Sequence, residues 1–386
     1  GAATGHLCGS GHPCGLAPEE VSAGLDARSP EKGEGSTAAS DDRPTPGGGS
    51  AASSDAADPP QAGSACGEAS VTEVECDALR RAAELMQQQE YDVLEAEAVL
   101  AEALKRLEDN QEACDRIRQS PVFVGVSDRV AQHDAIADML TNDKFASLWE
   151  DEDGKFEINQ TEGSWFDYKM TLNIDAPLSA CLSTGQELEL VPQAQPLMSG
   201  VPDKLGPCGK FVLVTLMRLS VLIFNIELLF EIVRFRHKRF GFITESIRSS
   251  FPANGLRIPA KGWRAVRPWV CTANVWMPRG DGEQGTVLVQ VTRVDCGFNV
   301  PQLVLNFVFR NLASTFMSDL RKSAAKAAEE SSPWADAIRK DATGLYADVR
   351  ELEEAASGRR LVTAKTFPGR EVFDRPWRLW PVPVDT

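Results

Sequence analysis

The 386-residue sequence predicts an α+β fold: a curved antiparallel sheet, one long helix after it and an α-helical region before it. Three observations predict it. Polar and apolar residues alternate from Trp165 to Ile174; two Val-, Leu- and Thr-rich runs flank a Gly-rich polar turn, PRGDGEQG; and a strongly apolar stretch follows from Pro301 to Ala324. Period-two alternation marks a strand with one dry face and so an antiparallel sheet, whereas a continuous apolar run after a proline suits a helix with no solvated side.

Taken in order, residues 1–70 are mostly Gly, Ala, Ser, Pro and Asp, cannot bury a core and read as a disordered tail. His6, Cys8, His12 and Cys14 fall within it with nothing ordered to orient them as ligands, so no metal is assigned there or elsewhere. From Thr72 apolar residues recur at helical spacing, through Leu79, Ala82 and Met86 and then Leu94, Leu100, Leu104 and Leu107, with a break near 90–92. This helical hairpin opens an α-helical extension over 72–150. A further helix is expected from Asp128 to Leu148, ended by EDEDG at 150–154. His133 on that helix has no acid, Ser or Cys at motif spacing and reads as a surface or capping residue.

Beyond the strand at 165–174, Pro177 opens a helix to about Leu190, and the apolar run to about Asn225 is expected to hold more helix. Strands follow near Leu228–Arg236 and Phe240–Arg248, then at Trp269–Met277 and Thr286–Val294, the last two joined as a hairpin. Asp295, Gly297 and Asn299 supply turn chemistry, and Pro301 suits a first helical turn. The helix after it is apolar all round to Phe309 and then narrows to a stripe of Leu312, Phe316 and Leu320. That pattern fits a buried core helix or the lid of an apolar cavity equally well. The chain from 325 to 386 reads as a helix to about Ala356 and a tail carrying Trp377 and Trp380 among prolines.

The formal net charge of −16 excludes a general nucleic-acid binder, which needs clustered Lys and Arg. The charge is uneven: residues 72–150 carry eighteen acidic and eight basic side chains, and residues 211–270 ten basic and three acidic. The cationic band suits acidic lipid headgroups or an acidic partner, or is a solvated surface. Nine cysteines without paired spacing, in a chain too long to need staples, point to free thiols and a reducing, cytoplasmic setting. Phe211–Val233 has the length of a membrane span but holds Arg218, Asn225, Glu227 and Glu231, so it reads as protein interior.

Four segments together resemble the START lipid-transfer family over residues 155–324: the strand pair FEIVRFRHKRFGFITESI, the strands RPWVCTANVWMP and TVLVQVTRVDCG, and VPQLVLNFVFRNLASTFMSDLRK, which is similar to the family's turn, proline and closing helix. The resemblance implies a helix-grip fold and a hydrophobic tunnel between sheet and final helix that shields one lipid or sterol. On that premise the wall residues are Trp276, Val287, Val289 and Val291 on strands and Val304, Phe307, Val308 and Asn311 on the helix. Glu231, Arg234, Glu245 and Arg248 would supply either a buried pair for a headgroup or cross-strand surface pairs.

The expected function is non-enzymatic lipid binding with transfer between membranes, peripheral membrane contact and no cofactor. The alternative is a protein-interaction scaffold with a self-filled core, recruiting partners through the helices at 72–150. An enzyme on a related fold would need convergent acid, base or nucleophile groups, and no such set stands out in the sequence.

Overall fold

In a computed structural model, the description covers residues 70–373 except 88–90, 142–143, 161–163, 196, 222–223, 250, 252–254, 281–283, 296, 298–301, 368 and 370–372, and excludes the side chains of 160, 207–208, 221, 224 and 302–312. The tail at 1–69, with His6, Cys8, His12 and Cys14, lies outside it, as do Trp377 and Trp380.

Four capped helices come first. Ser70 starts α1 (Val71–Leu85) through a reciprocal capping box with Glu73. Asp92 caps α2 (Val93–Arg106), Asn110 caps α3 (Gln111–Gln119), and Ser120 with Pro121 in the first turn starts α4 (Pro121–Leu140). The helix expected over 128–148 is therefore displaced: its start is set by the Ser-Pro signal, and Leu148 belongs to a strand. Strands β1 (Ala146–Glu150), β2 (Gly154–Gln160) and β3 (Trp165–Ile174) follow, then α5 (Leu178–Gln186) and α6 (Val191–Ala194).

The run expected to continue as helix is instead β4 (Asp203–Cys208), β5 (Val212–Val221) and the start of β6 (Phe224–His237). Val, Thr and Ile favour strands, and strands covered on both faces lose the alternation that would identify them. Next come β7 (Phe242–Arg248), β8 (Ala265–Val266), β9 (Trp269–Pro278) and β10 (Thr286–Asp295). The long helix α7 spans Gln302–Ala328. The single helix expected after it is broken into α8 (Pro333–Lys340), capped by Ser332, and α9 (Leu345–Ala356), which follows Gly344 at φ +75°.

All ten strands form one sheet in the order β1-β2-β3-β10-β9-β7-β6-β5-β4, with β8 beside β6. Neighbours along that order are antiparallel. Helices cover both faces. On one, Val287, Val289 and Val291 of β10 join Val275 and Met277 of β9 and Val233 and Phe235 of β6 in a core with Leu100 of α2 and Val126, Val130 and Ile136 of α4. On the other, Met170, Leu172 and Leu288 pack with Ala180 and Cys181 of α5, Ala313 and Met317 of α7 and Trp334 of α8, while Ile243 packs with α5 and α9. Gly154 permits the α7 contact: a Cβ there would stand 2.6 Å from the Met317 Cε and 2.9 Å from the Thr171 carbonyl oxygen.

The first face is also clamped by charge. Glu231 accepts from Arg129 of α4 at 3.0 Å and pairs with Arg248 at 2.8 Å. At the end of β6, Asp92, the cap of α2, pairs with Lys238 at 3.1 Å and with Arg236 at 2.7 Å; the Arg236 side chain shares the other face with Ile243 and also reaches Asp348 of α9 at 3.0 Å. Burial alone would raise both carboxylates, but these guanidinium and ammonium groups hold them below their ordinary range. His133 is not a surface residue: it is fully buried against Phe235, with its Nε2 3.1 Å from the Nε2 of His237. Its apolar surroundings come from β6, too far along the chain to show in its local sequence. The expected boundary near 150 does not divide the core, because α2 and α4 share it with the sheet.

Candidate functional site

Pleating assigns the predicted wall residues. Side chains alternate along a strand, and Leu288 stands opposite Trp276 while Val287 and Val289 stand opposite Met277 and Val275. The expected parity is therefore reversed on β10: Val287, Val289 and Val291 pack on the α2–α4 layer, and Trp276, Leu288, Gln290 and Thr292 share the α7 side. Val289 also borders a polar cleft of about 680 Å³ on the helical-layer side, lined largely by Glu150, Asp151, Glu152, Lys155, Glu157 and Lys169. The side chains of Val304, Phe307, Val308 and Asn311 lie outside the described residues.

The four charged candidates split in the same way. Glu231 and Arg248 belong to the helical-layer clamp. Arg234 and Glu245 lie on the α7 side, almost wholly buried, 2.7 Å apart. The Arg234 Nη1 donates to the Gln186 Oε1 at 2.6 Å and to the Lys210 carbonyl at 3.0 Å. The Glu245 Oε2 accepts from the Asn274 Nδ2 at 3.0 Å and the Trp276 Nε1 at 2.5 Å. Because a carboxylate only accepts, Asn274 must turn its amide nitrogen toward Glu245 and its oxygen toward Gln290, whose Nε2 donates to it at 3.0 Å. A ladder of polar groups thus crosses β6, β7, β9 and β10, with Arg234, Asn274 and Trp276 all donating to the Glu245 carboxylate.

Beside the ladder lies an apolar cavity of about 430 Å³. Leu219 of β5, Ile226, Leu228 and Phe230 of β6, Ile247 of β7 and Val270 of β9 form one side; Tyr168, Gln290, Thr292 and Val294 form the other, with Val266 and Pro268 at one end. Its hydroxyls are occupied with one another: Thr272 and Thr292 are 3.0 Å apart, and Thr292 also bonds Tyr168, whose phenol burial pushes above its ordinary range. The wall offers no ionised group. Of these residues Leu219 fell in the run read as helix, whereas Leu228 and Phe230 fell in the strand expected over Leu228–Arg236; at period two Ile226, Leu228 and Phe230 share one face of β6, and Leu219 pairs with Ile226 across the hairpin.

This constellation can bind an apolar molecule, and it holds no nucleophile beside a base. No group of three or more His, Cys, Asp or Glu able to hold a metal ion occurs among the described residues. Cys181 is buried against α7, and burial pushes its thiol up to about 12, leaving it unreactive at neutral pH. No helix among the described residues is long and apolar enough to cross a membrane, and Phe211–Val233 is the β5–β6 hairpin.

No protein-family model matches the chain, and no curated protein matches it. Solved structures that it is similar to include human STARD10, at 11% identity and a TM-score of 0.45 over 60% of this chain and 90% of that one. Human StAR-related lipid transfer protein 5 matches at 15% identity and 0.43, over 52% of this chain and 97% of that one. The Zhui aromatase/cyclase from Streptomyces sp. R1128 matches at 12% identity and 0.28, over 42% and 94%.

Proposed function

We propose that this chain binds one lipid or similarly apolar molecule in the cavity on the α7 side of the sheet and transfers it between membranes without covalent chemistry. The observation that supports this most is the apolar lining: nine of the thirteen residues bordering the 430 Å³ cavity are aliphatic, aromatic or proline without a polar group. Removing such a guest from water contributes about 25 cal/mol for each Å² of apolar surface. The volume lies toward the lower end of the roughly 300–1,000 Å³ usual for small-molecule sites. The START-like strand and helix segments agree with this use, and α7 would serve as the lid.

The test is extraction and mass spectrometry of apolar molecules co-purifying with the full chain, followed by release from donor vesicles to acceptor vesicles. Recovery of one ligand class in near-stoichiometric amount is expected. A protein that carries nothing and takes up neither a fluorescent sterol nor a fluorescent phospholipid would end the proposal and leave the self-filled scaffold.

A further inference from the structure

The β7–β9 connection from Phe251 to Pro268 carries Arg257, Lys261, Arg264 and Arg267 and no acidic residue, in a chain of net charge −16. Arg267 is occupied, with its Nη2 on the Glu227 Oε2 at 2.5 Å. Among the described residues, Arg257 and Lys261 have no acidic partner, and Arg264 lies over the Trp263 ring at 4.1 Å. Trp263 itself is 81% exposed, the most exposed large apolar side chain among the described residues. An exposed indole is costly in water unless something covers it, and it is the side chain that best suits a lipid–water interface, with an apolar ring and a polar edge.

The position of this segment gives the cluster a partner. β8 pairs with Asn225 and Ile226 at the start of β6, which itself pairs with Leu219 and Ser220 of β5. Ser220 donates its backbone N–H to Leu197, and Leu197 and Val201 are 56% and 53% exposed. Trp263 and Leu197 therefore stand on one rim of the sheet, a few strand spacings of about 4.8 Å apart. Leu219, Ile226, Val266 and Pro268 line the apolar cavity at that same rim.

We propose that this rim docks on an anionic lipid surface, with Trp263 and Leu197 entering the interface and Arg257, Lys261 and Arg264 on the headgroups, so that the cavity opens toward the bilayer. The docking deepens the lipid-binding reading and rests on it for its purpose, but not for its test. Cations near an anionic leaflet contribute about fivefold each in affinity.

The experiment is co-sedimentation of the full chain with phosphatidylcholine vesicles and with vesicles containing phosphatidylserine, at low and high salt. Binding is expected only with phosphatidylserine, and weakening with salt. Trp263→Ser should lower it about tenfold and K261E/R264E should abolish it, while thermal melting stays unchanged because all three side chains are exposed. Salt-independent binding, binding indifferent to Trp263→Ser, or equal affinity for polyglutamate would overturn the docking proposal. A protein that retains lipid yet ignores both vesicles would sink the docking and leave the cavity reading intact; one that docks but holds nothing would do the reverse.

Discussion

The two faces of this sheet solve opposite problems with the same strands. The face toward α2 and α4 is packed shut: Val233, Val275 and Val287 are completely buried, and Arg129–Glu231 locks α4 to the strands at its margin. The face toward α7 is filled at its β2–β3 and α5–α9 ends and keeps open space at β5, β6 and β9. The charges nearest that space, Arg234 and Glu245, are drawn into one ladder, so that the space beside them is apolar. Stability is concentrated on one face, which frees the other to forgo packing.

The largest effect should come from breaking the ladder. Glu245→Ala leaves the buried Arg234 guanidinium without its counter-charge, and a loss of about 3–5 kcal/mol is expected in the denaturant midpoint. A near-neutral result would mean that the ladder is wet and the cavity not truly apolar. The comparison itself is sharpened by matched truncations. Leu100→Ala, in the closed face, should cost about 2–5 kcal/mol, and Leu228→Ala, already beside open space, less than about 1 kcal/mol. Equal costs would show that the cavity is closed by side chains in solution.

A smaller effect is pH-dependent and arises where α2 and α4 are tied to β6 by charge. Glu231 and Asp92 have folded pKa values below their unfolded ones, so their stabilisation is complete above about pH 5 and is lost as pH falls through the folded values. The melting temperature should drop between about pH 5 and pH 3. Glu231→Gln should flatten part of that slope; an unchanged slope would remove the clamp from the account. The smallest expected effect on stability is at the rim, where Trp263→Ser should change the melting temperature by less than the equivalent of about 0.5 kcal/mol.

Much of this architecture is local enough to be written in short stretches of sequence. The period-two run at Trp165–Ile174, the hairpin around PRGDGEQG, the break between α1 and α2 and the position of α7 all depend on residues a few places apart. So does the class of fold. The errors share one cause. β5 is apolar on both faces through most of its length, so the alternation that separates strand from helix is absent there, and the wall residue Leu219 was hidden with it, whereas most of β6, with Leu228 and Phe230, was read as a strand. The side of the sheet to which Val287 or Leu288 points depends on which layer covers which face, and one step along a strand reverses it. His133 shows the same limit, since its burial depends on Phe235 and His237, about a hundred residues away.

What the sequence alone determined, then, was an antiparallel sheet with a long closing helix and a helical region before it, because helix and strand periods are properties of neighbouring residues. Only the tertiary structure decided that the valines of β10 hold the closed face, that Arg234 and Glu245 stand on one side and Glu231 and Arg248 on the other, and that an apolar cavity lies beside Gln290. Those assignments arise from pairing and packing across the whole chain, where a side chain's role depends on the layer it meets.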